Sequence, residues 1–83
     1  MEIAKLVDMA NRIGAFFAAE PDREVAVEGV ASHLRRFWDP RMRKQLIDWF
    51  DGGGRAPMTD LVVEAILRNR ERLLGGTGAA SLS

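Results

Sequence analysis

The sequence predicts a small all-α protein, a bundle of four short helices followed by a disordered C-terminal tail. Four segments carry apolar residues at spacings of three and four, the period of one helix face. Proline and glycine separate these segments, and no segment predicts a strand. The length of 83 residues allows one domain, which we expect at residues 1–76, with a flexible tail at 77–83.

The first helix is predicted at about residues 2–19. Phe16 widens its apolar face near the C-terminal end. The polar residues lie mostly off the apolar stripe, which predicts one buried face. That stripe consists of Ile3, Leu6, Val7, Ala10, Ile13, Gly14 and Phe17.

The second helix is predicted to begin at Pro21 and to stop near Trp38. Proline suits the first helical position, where its missing N–H has no helical partner. Arg35 and Arg36 fall in the last turn, where cations favour the negative end of the helix dipole. The stripe is formed by Val27, Val30, Ala31 and Leu34.

The third helix has the strongest start signal, since Asp39 as N-cap precedes Pro40 at the first helical position. The glycines at 52–54 are predicted to end it. Its apolar face carries Met42, Leu46, Trp49 and Phe50, with Ile47 beside them.

The fourth helix is predicted to begin after Thr59 as N-cap and to end at the glycines 75–76. Further apolar residues, Val63, Leu67 and Leu74, spread around the helix beyond its stripe. This is more apolar surface than a domain of this size needs for its own core. The stripe itself consists of Leu61, Val62, Ala65, Ile66 and Leu73.

Composition excludes several classes of protein. Twelve basic residues balance twelve acidic residues, so the chain as a whole has no excess charge that would attract phosphates or anionic lipid. Cysteine is absent, which excludes disulfides, thiolate catalysis and Cys-ligated clusters. The N-terminal segment resembles no signal peptide, and the uncharged stretch at 13–19 is far shorter than the roughly 20 residues of a membrane span. We expect a cytoplasmic protein.

No group of side chains predicts catalysis or metal binding. His33 is the only histidine, and we interpret it as a structural or surface residue because metal sites and catalytic triads need several converging groups. Ser32 precedes it, but adjacent residues on a helix point apart. The glycines at 52–54 follow a helix and not a strand, so they lack the setting of a phosphate loop. We therefore expect no catalytic residue and no cofactor or metal site, and a role in binding another protein.

The densest feature is the stretch at 34–44, which holds five basic residues, two aromatics and one acid at a corner between two helices. Three interpretations compete. Nucleic acid could bind the arginines and stack on the aromatics, although the balanced charge opposes this. Alternatively, Phe37 and Trp38 could fill the core while the arginines face water. We favour the third, a protein contact, because Trp and Arg are enriched among the residues that dominate binding energy.

In this interpretation Trp38 anchors in a pocket of the partner, and the arginines pair with its carboxylates or carbonyls. Asp39 caps the third helix in either case. Val63 and Leu67 of the last helix could add apolar area. The predicted partner-binding residues are Arg35, Arg36, Phe37, Trp38, Arg41 and Arg43.

Two runs of sequence carry a resemblance to a known family. Residues 5–17 read KLVDMANRIGAFF, and residues 30–43 read VASHLRRFWDPRMR. Both resemble the delta subunit of NAD-dependent formate dehydrogenases, the second being the more distinctive. The likeness extends over about residues 3–74, with Leu61-Val62 and Glu64-Ala65 fitting the family's last helix.

The resemblance implies a non-catalytic subunit of a cytoplasmic complex that oxidises formate and reduces NAD. Other subunits of such a complex carry a molybdenum or tungsten pterin cofactor, iron–sulfur clusters and FMN, and this chain carries none of them. The expected partner is the large catalytic subunit, which this chain would help to assemble or stabilise. We expect neither nucleic acid nor membrane as a partner. The alternative is a free-standing helical adaptor or regulator that binds nucleic acid through the basic corner at 35–44.

Overall fold

The computed structural model describes residues 2–55 and 57–75, which form five helices. They are α1 (Ile3–Phe17), α2 (Arg23–Phe37), α3 (Pro40–Asp51), α4 (Asp60–Arg68) and α5 (Arg70–Leu73). No strand occurs in these two ranges, and the predicted all-α class is confirmed. The tail that we predicted to be disordered at 77–83 lies outside the described residues.

The predicted apolar stripes meet in one core. α2 packs against both α1 and α4, and α1 also contacts α3. Every residue of the predicted stripes of α2 and of the last helical segment is buried. Removing such side chains from water is the main favourable term in folding. The largest fully buried side chains are Phe50, Leu6, Leu34, Leu46, Ile47, Ile66, Leu73, Val30 and Val62.

The start of α2 differs from the prediction by two residues. Asp22 is the N-cap, and its carboxylate accepts hydrogen bonds from the N–H groups of Glu24 (3.0 Å) and Val25 (3.4 Å). Pro21 therefore precedes the cap and is not the first helical residue, as we had predicted. The reason is that a carboxylate satisfies two free N–H groups of the first turn, whereas proline only avoids adding one.

The predicted fourth helix is interrupted at Asn69, which separates α4 from α5. The backbone of Asn69 leaves the helical region (φ −129°, ψ 24°), and its side-chain amide donates to the carbonyl of Ala65 (3.1 Å). Asparagine competes in this way with the helical hydrogen bonds. After the break Leu73 turns into the core, while Leu74 is exposed.

Ion pairs connect α2 with α4 and α5. Arg23 contacts Glu64 (2.7 Å), and Arg68 contacts Glu24 (3.1 Å). Arg72 binds both carboxylate oxygens of Glu28, each at 2.8 Å. Glu24 and Glu28 near the start of α2 therefore pair across helices with arginines of α4 and α5.

The loop between α3 and α4 is held by contacts to α3 and to α1. Gly54 lies beneath the indole of Trp49, where an added Cβ would come within 2.2 Å of Cε2. Asn11 of α1 donates to the carbonyl of Pro57 (2.8 Å) and accepts from the N–H of Thr59 (3.0 Å). The predicted Thr59 cap position is confirmed, although its side chain makes no capping hydrogen bond.

Candidate partner-binding surface

The corner between α2 and α3 places Trp38 inside the protein. Trp38 follows the last residue of α2 in extended backbone (φ −91°, ψ 140°), and it is buried whereas the preceding Phe37 is exposed. Its side chain is 5% exposed and belongs to the core cluster. Trp38 therefore cannot anchor in a partner's pocket while the fold is intact, and our placement of it at the contact is corrected.

Arg43 is the one buried charged side chain among the described residues, at 4% exposure. Its guanidinium donates to the carbonyl of Trp38 (3.2 Å) and to the carbonyl of Leu73 (3.0 Å). Those carbonyls lie at the C-terminal ends of α2 and α5, where the helix dipole favours a cation. Burial lowers the pKa of Arg43, as does the nearby charge of Arg35, although a guanidinium stays protonated.

Arg43 is thus a structural residue that joins the ends of two helices. Our prediction that it contacts a partner is corrected for the same reason as for Trp38. Asp39 acts as predicted, since its carboxylate accepts from the N–H of Met42 (3.0 Å) as the N-cap of α3. Trp38, Asp39 and Arg43 therefore build the corner itself.

The remaining predicted contact residues do not form one patch. Arg41 and Arg36 are exposed and Arg35 is half-buried. Arg35 lies near enough to Arg43 to lower its pKa, whereas Arg36 stacks on Phe37 with its Cζ 5.6 Å from the ring centroid. Successive helical residues point about 100° apart, so Arg35 and Arg36 serve different sides of α2. The arginines of the basic corner therefore face different directions and do not form one surface.

Phe37 instead belongs to a row of rings that runs from the end of α1 onto the outer face of α2. We call Phe16, Phe17, His33 and Phe37 the aromatic row. Neighbouring ring centroids are 5.0 Å apart for Phe16–Phe17, 6.5 Å for Phe17–His33 and 4.8 Å for His33–Phe37. The first two pairs are edge-to-face, the arrangement that aromatic quadrupoles favour.

The two ends of the aromatic row face solvent. Phe16 is 75% exposed and Phe37 is 67% exposed, the highest values among the large apolar side chains described. Val25, also exposed, lies on the same side of α2. An apolar cluster of this kind on the surface is typical of a protein contact.

Two shallow clefts flank the contact between Phe17 and His33. The first, of about 370 Å³, lies along the outer face of α2 and includes Gly29, Val25 and Phe37 in its lining. The second, of about 300 Å³, lies on the α1 side, with Phe16 and Ile13 in its lining. Phe17 and His33 therefore line both clefts, while Phe37 lines only the first and Phe16 only the second.

Packing beneath the row fixes its position. The Phe17 ring lies directly against Gly29, where an added Cβ would come within 2.5 Å of Cδ1. Only glycine allows the ring this close to the backbone of α2. The centre of the row is thus part of the α1–α2 interface.

Most of this row was not predicted from the sequence. The sequence pattern predicted Phe17 as part of the buried stripe, His33 as a structural or surface residue, and Phe16 as a widening of the apolar face. The available signal was the spacing of His33 and Phe37, one helical turn apart on α2, together with Phe16 off the stripe of α1. Which ring of α1 meets α2 depends on how the two helices pack.

Other parts of the described chain give weaker indications of a binding site. Leu67 is exposed on α4, as expected for a surplus apolar residue, while Val63 packs partly against the core. Within 2–55 and 57–75, no three histidine or carboxylate side chains are grouped so that they could hold a metal ion. None of the described helices is long and apolar enough to cross a membrane.

Comparison with known protein families gave a match over most of the chain. Residues 5–66 match the family described as NADH-dependent formate dehydrogenase delta subunit, FdsD. The matched range covers α2, α3 and most of α1 and α4, and it includes the aromatic row and the α2–α3 corner. Searches of curated proteins and of solved structures found no match.

Proposed function

Since the chain belongs to the family of NADH-dependent formate dehydrogenase delta subunits, we propose that it is a non-catalytic subunit that binds the large catalytic subunit of such an enzyme. Its role there is to support assembly or stability of the complex. The molybdenum or tungsten pterin cofactor, the iron–sulfur clusters and FMN would belong to the other subunits. The chemistry of formate oxidation and NAD reduction would then take place outside this chain, in the cytoplasm.

The observation that supports a binding role is the exposure of the aromatic row. Two phenylalanines in contact with solvent, beside two clefts, leave apolar area uncovered that a partner can cover. A domain of this size buries only about 60% of its unfolded surface, so its own stability margin is small and a bound partner adds to it. Binding and stability would therefore be linked.

The test is native purification of the tagged chain from its own host, followed by identification of the proteins that accompany it. We expect the cofactor-bearing large subunit in amounts comparable to those of the tagged chain. Recovery without the large subunit contradicts the proposal. Nuclease treatment during purification is the control for the nucleic-acid alternative, because a phosphate-dependent association is lost with nuclease and weakens steeply with salt.

A second measurement separates a permanent subunit from a transient assembly factor. If the chain is a subunit, the enzyme purified through a tag on the large subunit contains it in fixed ratio and is active. If it acts only during assembly, it accompanies immature large subunit that lacks the pterin cofactor. Deleting its gene should lower the amount of assembled enzyme in both cases.

A further inference from the structure

We infer that the aromatic row and Arg36 form a docking site for a protein segment of the enzyme complex that presents apolar side chains next to a carboxylate. This inference rests on the proposed function and specifies the chemistry of the partner. The apolar side chains would lie in the two clefts beside the row, and the carboxylate would pair with Arg36.

The apolar part of the site follows from exposure and shape. Phe16 and Phe37 are the exposed ends of the aromatic row, and each lines one of the two clefts, both of which Phe17 and His33 also line. Removing exposed apolar side chains from water favours binding. A partner that fills both clefts presents at least two apolar groups, one for each cleft.

The charge of the site follows from the ion pairs around it. Glu28, in the lining of the larger cleft, is held by Arg72 through both carboxylate oxygens. Arg12, in the lining of the smaller cleft, is paired with Asp8 (3.0 Å). Arg36 also lines the larger cleft, and it forms no ion pair with any described residue. The unbalanced charge at the site is thus positive, which favours a carboxylate on the partner.

Arg36 is also suitably placed to receive that carboxylate. Its guanidinium lies over the Phe37 ring, with Cζ 5.6 Å from the centroid. A guanidinium can bind a carboxylate through two parallel N–H groups. Because Phe17 is fixed against Gly29, the centre of the row is already ordered before binding. Little conformational entropy is then lost when a partner docks.

The experiment is capture of the large subunit by tagged variants of the full chain, expressed together with the other subunits. The test variants are the double variant Phe16→Ala/Phe37→Ala and the charge reversal Arg36→Glu. The matched controls are Leu67→Ala/Leu74→Ala, two exposed leucines of the last helices, and Lys5→Glu, an exposed cation about 16 Å along α1 from Phe16. Circular dichroism is used to check that each variant is folded.

We expect recovery of the large subunit to fall about tenfold or more for both test variants, as for residues that dominate an interface, and to stay within about twofold for the controls. A photo-reactive phenylalanine analogue at position 37 should cross-link to the partner, and the same analogue at position 67 should not. If reversing the charge of a carboxylate in the cross-linked segment restores capture by Arg36→Glu, the pairing is established.

Other outcomes overturn the inference and leave the proposed function standing. If the wild-type chain captures the large subunit and the aromatic variants capture it equally well, the contact is elsewhere. If capture is lost only with Arg41→Glu, the contact lies on α3. If it is lost only with the leucine control, the contact lies on the last helices. If light scattering shows that the isolated chain dimerises through Phe16 and Phe37, the row binds a second copy instead. Failure of the wild-type chain itself counts against the proposed function.

Discussion

Trp38 belongs to the core at the corner between α2 and α3. Because it is 5% exposed and lies in the core, Trp38→Ala should lower the free energy of unfolding by about 3–5 kcal/mol, through lost burial and the cavity left behind. Phe37→Ala, at 67% exposure, should change it by no more than about 0.5 kcal/mol. Urea unfolding followed by circular dichroism measures both. Equal stability of the two variants would contradict the assignment of Trp38 to the core.

Arg43 gives a second prediction at the scale of the residue. Arg43→Met keeps much of the side-chain volume but removes two charge-assisted hydrogen bonds to helix ends, and we expect a loss of about 2–3 kcal/mol in unfolding free energy. The matched control is Arg41→Met, an exposed residue for which the change should stay within about 0.5 kcal/mol. If the two variants are equally stable in urea unfolding, Arg43 does not join α2 and α5.

The candidate site could be predicted only in part at this scale. The cap at Asp39 could be predicted from the sequence, because an N-cap is a local interaction with an N–H group three residues further along the chain. The sequence could not show that Trp38 and Arg43 point inward while Arg36 and Phe37 point outward. The inward direction of Trp38 depends on its extended backbone. That of Arg43 depends on the carbonyl of Leu73, 30 residues away in the sequence.

Close packing of α1 against α4 gives a prediction at the scale of the element. A Cβ on Gly14 would lie 2.7 Å from Cγ2 of Val62, which is buried and β-branched and has little freedom to move. Alanine gains about 1 kcal/mol in helix propensity over glycine, but overpacking costs about 1–3 kcal/mol. We therefore expect Gly14→Ala to lower the melting temperature.

The control for this clash is Gly52→Ala, where the nearest atoms to a new Cβ are 3.5 Å away, an ordinary contact. A further check is the double variant Gly14→Ala/Val62→Ala. The alanine at 14 should cost less in the presence of alanine at 62, because the clash is then absent. A melting temperature for Gly14→Ala above that of the wild type would mean that α1 and α4 pack less closely than described.

At the scale of the whole molecule, the cross-helix ion pairs predict acid sensitivity. The hydrogen bond from Arg72 lowers the pKa of Glu28, and the one from Arg23, with Arg68, lowers the pKa of Glu64. A carboxylate whose pKa is lower in the folded state binds fewer protons there. Its contribution to stability is present above the unfolded pKa of about 4.3 and is lost as the pH falls through the folded pKa.

We therefore expect unfolding free energy to decrease below about pH 4.3, by a modest amount because the pairs are exposed and screened by salt. The double variant Glu28→Gln/Glu64→Gln should show a weaker decrease over this range than the wild type. Glu71→Gln, which removes an exposed carboxylate with no ion pair to any described residue, serves as the control. Denaturant titrations at several pH values and two salt concentrations provide the measurement.

The sequence by itself determined the helical class, the buried stripes and the positions of most helix ends. These follow from local physics, namely the 3.6-residue period, the caps at Asp39 and Thr59, and the glycines that end α3. The family was also recognisable from the runs at 5–17 and 30–43, and it is confirmed over residues 5–66.

Only the tertiary structure decided which side chains remain available for a partner. The break at Asn69, the inward turn of Arg43 and the assembly of the aromatic row from α1 and α2 all depend on contacts between residues far apart in sequence. Local pattern can show that Phe16 and Phe37 are apolar. Whether they are covered depends on how the helices pack, and here the packing buries Trp38 and leaves these two rings in solvent.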